Sequence, residues 1–274
     1  MPELPEVESV RRGLLPWIVG AKIRKVELSL PRLLKYPKPA FFRKTLTGSR
    51  IKALTRKGKY LIFELDNQHD LIIHLGMSGR LIPALNTEEY PPHTHLILHL
   101  DSQENLLFID PRTFGRIALL PHEDYSPLPG LAAIGVDPTR PEEYQWEKVK
   151  ELFRGNRPVK SFLMDQSIFA GIGNIYADES LFRAKIHPQR LVSSLTTREK
   201  KRLFTVIRDI LNEAIECGGT TILTFMDSRK NHGNFQSQLQ VYGKENTPCP
   251  HCSSLLRKIT IAGRSAHFCP HCQK

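Results

Sequence analysis

The chain has 274 residues, room for two domains and a small module, and its 40% hydrophobic and 24% charged residues exclude wholesale disorder. The 39 Lys and Arg against 28 Asp and Glu leave a net charge of +11, which argues for a polyanionic partner. No run of 18 apolar residues occurs, and Glu3, Glu6 and Glu8 sit where a cationic leader would lie, so neither a membrane-spanning helix nor a signal peptide is expected.

Pro5 suits a first helical turn, and Val7, Val10 and Leu14 repeat at helical spacing, so a helix is predicted over residues 5–15. The pattern then turns strand-like, with short apolar or alternating runs at 23–28, 60–65, 71–75, 96–100, 106–109 and 116–120. Turn residues such as Asp66-Asn67 and Asp101-Ser102 separate them, and six to eight short strands point to a sandwich or barrel. Pro121, Pro127, Pro129, Pro138 and Pro141 mark residues 121–145 as a linker. Beyond it the period is helical, with helices or turns at 142–153 and 161–165 and a helix at 174–184. The cleanest helix covers 197–217, where Leu203, Ile207, Ile210, Leu211 and Ala214 share a face, Thr196 and Glu199 form a capping box, and Gly218-Gly219 ends the run. The turn Ala170-Gly171-Ile172-Gly173-Asn174 opens a helix, which can point backbone N–H groups at an anion, although most such turns only reverse the chain.

Four of the five cysteines, Cys249, Cys252, Cys269 and Cys272, have the spacing C-x2-C-x16-C-x2-C of a zinc ribbon. Two disulfides are the alternative, disfavoured without a secretory signal. Four protein ligands leave no place for water, so one structural zinc ion is expected. Residues 255–261 and 265–268 read as strands joined by a turn at 262–264, which puts Arg264 at a hairpin tip. Cys217 has no partner in the sequence and reads as a small buried residue near a helix end.

The start Met1-Pro2-Glu3 carries chemistry of its own. Methionine before a small residue is normally removed, which leaves Pro2 with a free secondary amine. An α-amine has a pKa of about 8 against roughly 10.4 for lysine, so far more of it is unprotonated at neutral pH. Such an amine attacks electrophilic carbon and forms an iminium ion, and Glu3 beside it can supply a proton. The dipeptide alone says little, since many chains begin Met-Pro.

The motifs taken together are more specific. Pro2-Glu3-Leu4-Pro5-Glu6-Val7-Glu8, Arg56-Lys57-Gly58-Lys59-Tyr60-Leu61, His74-Leu75-Gly76-Met77-Ser78-Gly79, Asp110-Pro111-Arg112-Thr113-Phe114-Gly115, Gly173-Asn174-Ile175-Tyr176-Ala177, Leu239-Gln240-Val241-Tyr242-Gly243 and the four-cysteine finger follow in order along nearly the whole chain. This set resembles formamidopyrimidine-DNA glycosylases of the MutM type. The resemblance implies an α+β multidomain fold: an N-terminal helix on a β-sandwich (1–135), a helix-two-turns-helix DNA-binding domain (136–225), and a lesion loop with a C-terminal zinc-finger hairpin (226–274). It implies a monomeric, cytoplasmic, nucleoid-associated base excision repair enzyme. Such an enzyme removes oxidised purines from double-stranded DNA through a Schiff base and cuts the strand by β,δ-elimination.

By the same resemblance, Pro2 is the nucleophile, Glu3 the acid–base at the sugar, Glu6 a support, Lys59 a proton-transfer lysine and Arg264 a phosphate clamp that assists δ-elimination. Met77, Arg112 and Phe114 fill the space left by the flipped nucleotide, and His93, Lys160 and Asn174 contact DNA. Without the resemblance, Lys59 reads as a solvated charge, and Met77 and Phe114 as core. Of His93 and His95, flanking Thr94, His93 is taken as DNA-facing and His95 as a structural hydrogen-bonder. Thr113 stands where the family often has a second Arg, which weakens one phosphate contact but leaves Arg112 and Phe114 in register. The polar segment 220–235 corresponds to a mobile loop over the flipped base. Two other readings stay open: an endonuclease VIII-like enzyme for pyrimidine lesions, and a DNA binder without catalysis.

Overall fold

The computed structural model describes residues 1–85, 89–220 and 233–274. It resolves into two compact units, Met1–Ala133 with Gly218–Asn234, and Ile134–Cys217 with Phe235–Lys274. The zinc hairpin therefore shares a unit with the helices, and the segment after the long helix belongs with the sandwich. Among the described residues no helix is long and apolar enough to cross a membrane.

The first unit opens with α1 (Leu4–Ile18), three residues longer at its C-terminal end than the apolar spacing indicated. Strands β1 (Ile23–Leu28), β7 (Thr94–Leu100), β8 (Glu104–Ile109) and β6 (Arg80–Leu85) form an antiparallel sheet in the order β1-β7-β8-β6. A second sheet has the order β2-β9-β5-β4-β3. Its strands are β2 (Leu34–Tyr36), β3 (Ile51–Lys57), β4 (Tyr60–Leu65), β5 (His69–His74) and β9 (Arg116–Pro121), and only β2 runs parallel to its neighbour β9. A short helix, α2 (Pro39–Leu46), buries Phe42 and Leu46.

The core between the sheets contains Leu61, Phe63, Leu71, Ile73, Ile117 and Leu119 from one and Val26, Leu28, Leu98 and Phe108 from the other, closed by Val7, Val10, Leu14 and Ile18 of α1. Alternation along a strand explains these inward sets. The intervening residues Ile62, Ile72, Ala118 and Leu120 are apolar too, because the outer face of this sheet is covered by Tyr125, Leu128 and Leu131. The proline-rich stretch is thus not a loose linker. Its first part carries α3 (Pro129–Ala132) on the outer face of the sheet, and buried Asp70 fixes it by accepting from His122 Nδ1 (2.9 Å), Glu123 N–H (3.2 Å) and Tyr125 O–H (2.9 Å). Its second part packs in the other unit, where Tyr144 stacks on Phe204 at 4.3 Å.

The second unit holds α4 (Trp146–Val149), α5 (Val159–Leu163), α6 (Asn174–Arg183) and α7 (Thr197–Glu216) around a core that includes Phe153, Phe162, Phe169, Tyr176 and Leu211. The segment 142–153, expected as helix or turn, holds α4 and one 3-10 turn, Lys150–Leu152. The capping box of α7 forms as its sequence demands, with Thr196 Oγ1 accepting from Glu199 N–H at 3.3 Å and Glu199 Oε2 from Thr196 N–H at 2.8 Å. The finger hairpin comprises β10 (Arg257–Ile261) and β11 (Arg264–Phe268). Its turn is Ala262-Gly263, both at positive φ, and Arg264 opens the return strand.

Candidate active site and nucleic-acid interface

Glu3 is the N-cap of α1, and Glu6 three residues on closes a capping box by accepting from Glu3 N–H at 2.8 Å through Oε2. The other oxygen of Glu6 accepts from Thr220 N–H at 2.8 Å and from Thr220 Oγ1 at 3.0 Å. This contact needs glycine next door: Gly219 has φ +79°, and a Cβ there would lie 2.8 Å from Glu6 Oε1. Pro2 and Glu3 are buried, while Met1 is exposed. Most of the polar loop expected over 220–235 lies outside the described residues; Thr220 at one end and Gly233, Asn234 and Phe235 at the other are described.

Lys59 follows the β3–β4 turn at Gly58 (φ +57°) and is only 7% exposed, so it is not a solvated charge. Neighbouring Arg56 is also buried, and its guanidinium reaches Glu8 Oε2 of α1 (3.0 Å) and the Gly58 carbonyl (3.0 Å). Burial alone would raise the Glu8 carboxyl, but hydrogen bonds and charge from Arg11 and Arg56 outweigh it and bring it down to about 2.

Beside Lys59 lies a residue that sequence reasoning passed over. His74 ends β5, pairs across the sheet with Tyr60 on one side and Arg116 on the other, and packs its ring 4.8 Å from that of Tyr60. Burial, then the charges of Lys59 and Arg116, push its pKa down to about 4, so it is neutral at pH 7. Its Nδ1 accepts from Gly76 N–H at 3.0 Å, which fixes the start of the Met77 loop. The signal was available, since His74 opens the motif that contains Met77.

Met77 and Phe114 are not core: they are 41% and 52% exposed. Their loops are locked together by buried Asp110, whose carboxylate accepts from Ser78 Oγ (2.6 Å) and Gly115 N–H (2.7 Å), while Ser78 Oγ accepts from Arg112 N–H at 3.2 Å. A Cβ on Gly76 would lie 2.5 Å from the Phe114 carbonyl carbon, so the two backbones touch. The Arg112 guanidinium lies 5.1 Å from the Phe114 ring centre, so a cation and an exposed aromatic ring sit together on this loop. His93 is exposed at φ +66°, whereas His95 Nε2 is bonded to the Asp110 carbonyl at 3.1 Å. Thr113 does not leave its place without a cation, because Arg32 Nη2 donates to its hydroxyl at 2.8 Å.

In the helical unit Lys160 is enclosed. Its side chain is 1% exposed, with Nζ 2.6 Å from Asp178 Oδ1 and also donating to the Ser265 carbonyl. An ammonium so enclosed is a strut between α5, α6 and the finger hairpin. Asp178 completes the strut with its second oxygen, which accepts from His267 N–H at 2.9 Å and lies 3.0 Å from His267 Nδ1. The strut sets β11 against the head of α6. There Asn174 Nδ2 donates to Ser265 Oγ at 3.2 Å, next to exposed Arg264, and Asn174 Oδ1 is buried without a hydrogen-bond partner. Gln166 holds the glycine-rich turn before Asn174, accepting from Gly171 N–H (2.9 Å) and donating to the Ile172 carbonyl (2.7 Å). Glu179, also on α6, accepts from the backbone N–H groups of Gln240, Val241 and Tyr242 at 2.9–3.0 Å, which ties down the Leu239–Gly243 motif.

The four finger cysteines fit zinc. Their sulfurs all lie within 4.8 Å of one another, with Cys249 to Cys272 at 3.9 Å and Cys252 to Cys269 at 3.5 Å. A tetrahedral ion about 2.3 Å from each sulfur needs them about 3.8 Å apart. Cys217 lies outside this set and packs at the edge of the helical core, with Gln238 Nε2 3.2 Å from its sulfur.

Three family models match the chain: the formamidopyrimidine-DNA glycosylase N-terminal domain over residues 1–117, the H2TH domain of the same glycosylases over 134–226, and a zinc finger found in FPG and IleRS over 247–274. The chain belongs to the formamidopyrimidine-DNA glycosylase family. A curated relative from Pelotomaculum thermopropionicum, a formamidopyrimidine-DNA glycosylase, is 43% identical over 100% of this chain and 99% of its own length. A crystal structure of a Lactococcus lactis FPG mutant in complex with a Fapy-dG containing DNA superposes with a TM-score of 0.93 at 38% identity, covering 100% of both chains. The MutM (FPG) protein from Thermus thermophilus gives 0.90 at 39% identity, covering 99% of this chain and 98% of its own.

Proposed function

We propose that the chain is a bifunctional base excision repair enzyme, a DNA glycosylase and abasic-site lyase that acts on oxidised purines in duplex DNA. The observation that carries this reading is the buried Pro2-Glu3 pair, held at the head of α1 by Glu6. Removal of Met1 frees the Pro2 amine, which attacks C1′ of the damaged nucleotide and displaces the base. Glu3 protonates the sugar ring oxygen as the ring opens, leaving an iminium ion at C1′. The iminium draws electrons from the C2′–H bond, so loss of that proton expels the 3′ phosphate. A second elimination expels the 5′ phosphate. Lys59 serves as the proton carrier of base loss, and neutral His74 beside it is a hydrogen-bonding partner for substrate. Met77, Arg112 and Phe114 enter the space vacated by the flipped nucleotide, and His93, Asn174 and Arg264 hold phosphates.

Residues 1–135 carry the chemistry, 136–225 the grip on DNA, and 226–274 the lesion loop and finger. Zinc keeps the Arg264 hairpin folded. The enzyme works as a monomer, and we place it in the cytoplasm on the nucleoid. The presence of Pro2, Glu3 and Lys59 together favours this reading over a binder without catalysis. Borohydride trapping on a duplex with 8-oxoguanine opposite cytosine, followed by peptide mapping, is the test. An adduct on the Pro2 peptide is expected, whereas tight binding with no adduct would leave a reader of damage or a different lesion.

A further inference from the structure

We propose that Arg56, gripped by Glu8, is a positioning residue that fixes Lys59 relative to the helix bearing Pro2. The inference rests on the function proposed above. Glu8 lies on α1, two turns from Pro2, and Arg56 lies in β3, three residues before Lys59. One guanidinium spans the two elements: Nε donates to Glu8 Oε2 at 3.0 Å and Nη1 to the Gly58 carbonyl at 3.0 Å. Gly58 immediately precedes Lys59 and holds a positive φ, so its carbonyl direction and the lysine backbone are set together. Arg11, also on α1, grips both ends of the same strap, with Nη2 on Glu8 Oε1 at 2.8 Å and Nη1 on the Leu54 carbonyl of β3 at 3.4 Å.

Stability does not explain this arrangement. A buried Arg–Glu pair roughly breaks even against apolar residues of the same volume, because desolvating the two charges offsets their attraction. What the pair supplies is direction: a planar fork with fixed donor angles joins a helix to a turn as packed methyl groups cannot. Catalysis is sensitive to that, since a misplacement on the order of 1 Å costs about a hundredfold in rate. Arg56 and Glu8 touch no substrate in this reading. They hold the two groups that do.

Two reactions separate positioning from general support. Single-turnover excision of 8-oxoguanine uses Pro2 and Lys59, while borohydride trapping on a preformed abasic duplex uses Pro2 with no base to expel. Arg56→Lys keeps a cation for Glu8 and loses the arm to Gly58. It is expected to slow excision about tenfold or more, with abasic trapping within about twofold of wild type and zinc content unchanged. Glu8→Gln keeps the volume and an acceptor for Arg56, and it carries the test should Arg56→Lys fail to fold; the same selective loss is expected. Unchanged excision in the folded variants, or an equal fall in excision and trapping, would overturn the inference. A wild-type protein that neither excises nor traps would instead overturn the proposed function on which it rests.

Discussion

Lys160 and His74 show how burial decides what a charged or titratable side chain can do. Lys160 is one of 39 basic residues, and nothing in its neighbours distinguishes a lysine that meets solvent from one that meets Asp178. Its carboxylate partner is 18 positions away and its carbonyl partner 105, distances at which a single sequence carries no pairing signal. Removing it strands a buried carboxylate. Lys160→Ala is therefore expected to destabilise the helical unit by about 3–5 kcal/mol, whereas the double change Lys160→Met with Asp178→Asn costs much less. Urea unfolding of the two variants checks this. A DNA affinity that falls in Lys160→Ala with no loss of stability would return Lys160 to the DNA surface. Pro2, Glu3, Met77 and Arg112 could be named as candidates because they sit in short contiguous motifs. His74 stood in such a motif too, but its importance comes from burial and then from the charges of Lys59 and Arg116, which the pairing of β4, β5 and β9 brings near it.

At the scale of elements, β4, β5 and β9 of the second sheet were legible as apolar runs because both of their faces are covered. The covering segment was not, since prolines at 127 and 129 look the same in a linker as in a turn packed on a sheet. Strands β2, β3 and β6 and helix α2 escaped as well: β2 has only three residues, β3 mixes Lys52, Arg56 and Lys57 with its apolar positions, β6 carries Pro83, and α2 buries only Phe42 and Leu46. The finger was read almost to the residue, because ligand spacing leaves the chain few alternatives. Its coupling to α6 was not visible. Phe182 of α6 shares a small apolar cluster with Val241, Leu256, Cys249 and Cys269, and Asp178 bonds to His267. Removing zinc should therefore disturb more than the finger. Chelation, or Cys269→Ser, is expected to lose hydrogen-exchange protection in β10, β11 and the second half of α6 while the strands of the sandwich stay protected. Loss of protection throughout the sandwich would show that the two units do not behave separately.

Across the whole molecule, two buried groups in the sandwich unit make stability depend on pH in successive steps. His74 has its pKa depressed from 6.5 to about 4. Between those values the unfolded chain binds a proton that the native state refuses, so stability falls as pH drops from 6.5 towards 4. Glu8 is depressed from 4.5 to about 2, so its contribution is complete above pH 4.5 and is lost as pH falls through 2. Urea midpoints measured from pH 7.5 to 3 should decline in both windows, and His74→Gln should flatten the first alone. A midpoint that stays level between pH 6.5 and 4.5 would show that His74 is not held neutral. Carbon-bound proton shifts of His74 that stay constant down to pH 5 would agree with the expected behaviour.

The lock between the Met77 and Phe114 loops bears on speed as well as shape. Asp110 and Ser78 tie the two loops by side-chain bonds of 2.6–3.2 Å, and Gly76 lets their backbones touch. Ordering a residue costs about 1–2 kcal/mol of backbone entropy. Here that cost is met once, when the sandwich folds, and not at each encounter with a base pair. A reader that must interrogate very many undamaged pairs for each damaged one gains from a rigid probe, because every failed trial then ends without rearranging the protein. The deformation in each trial falls on the DNA, which yields most easily where a damaged pair is already weak.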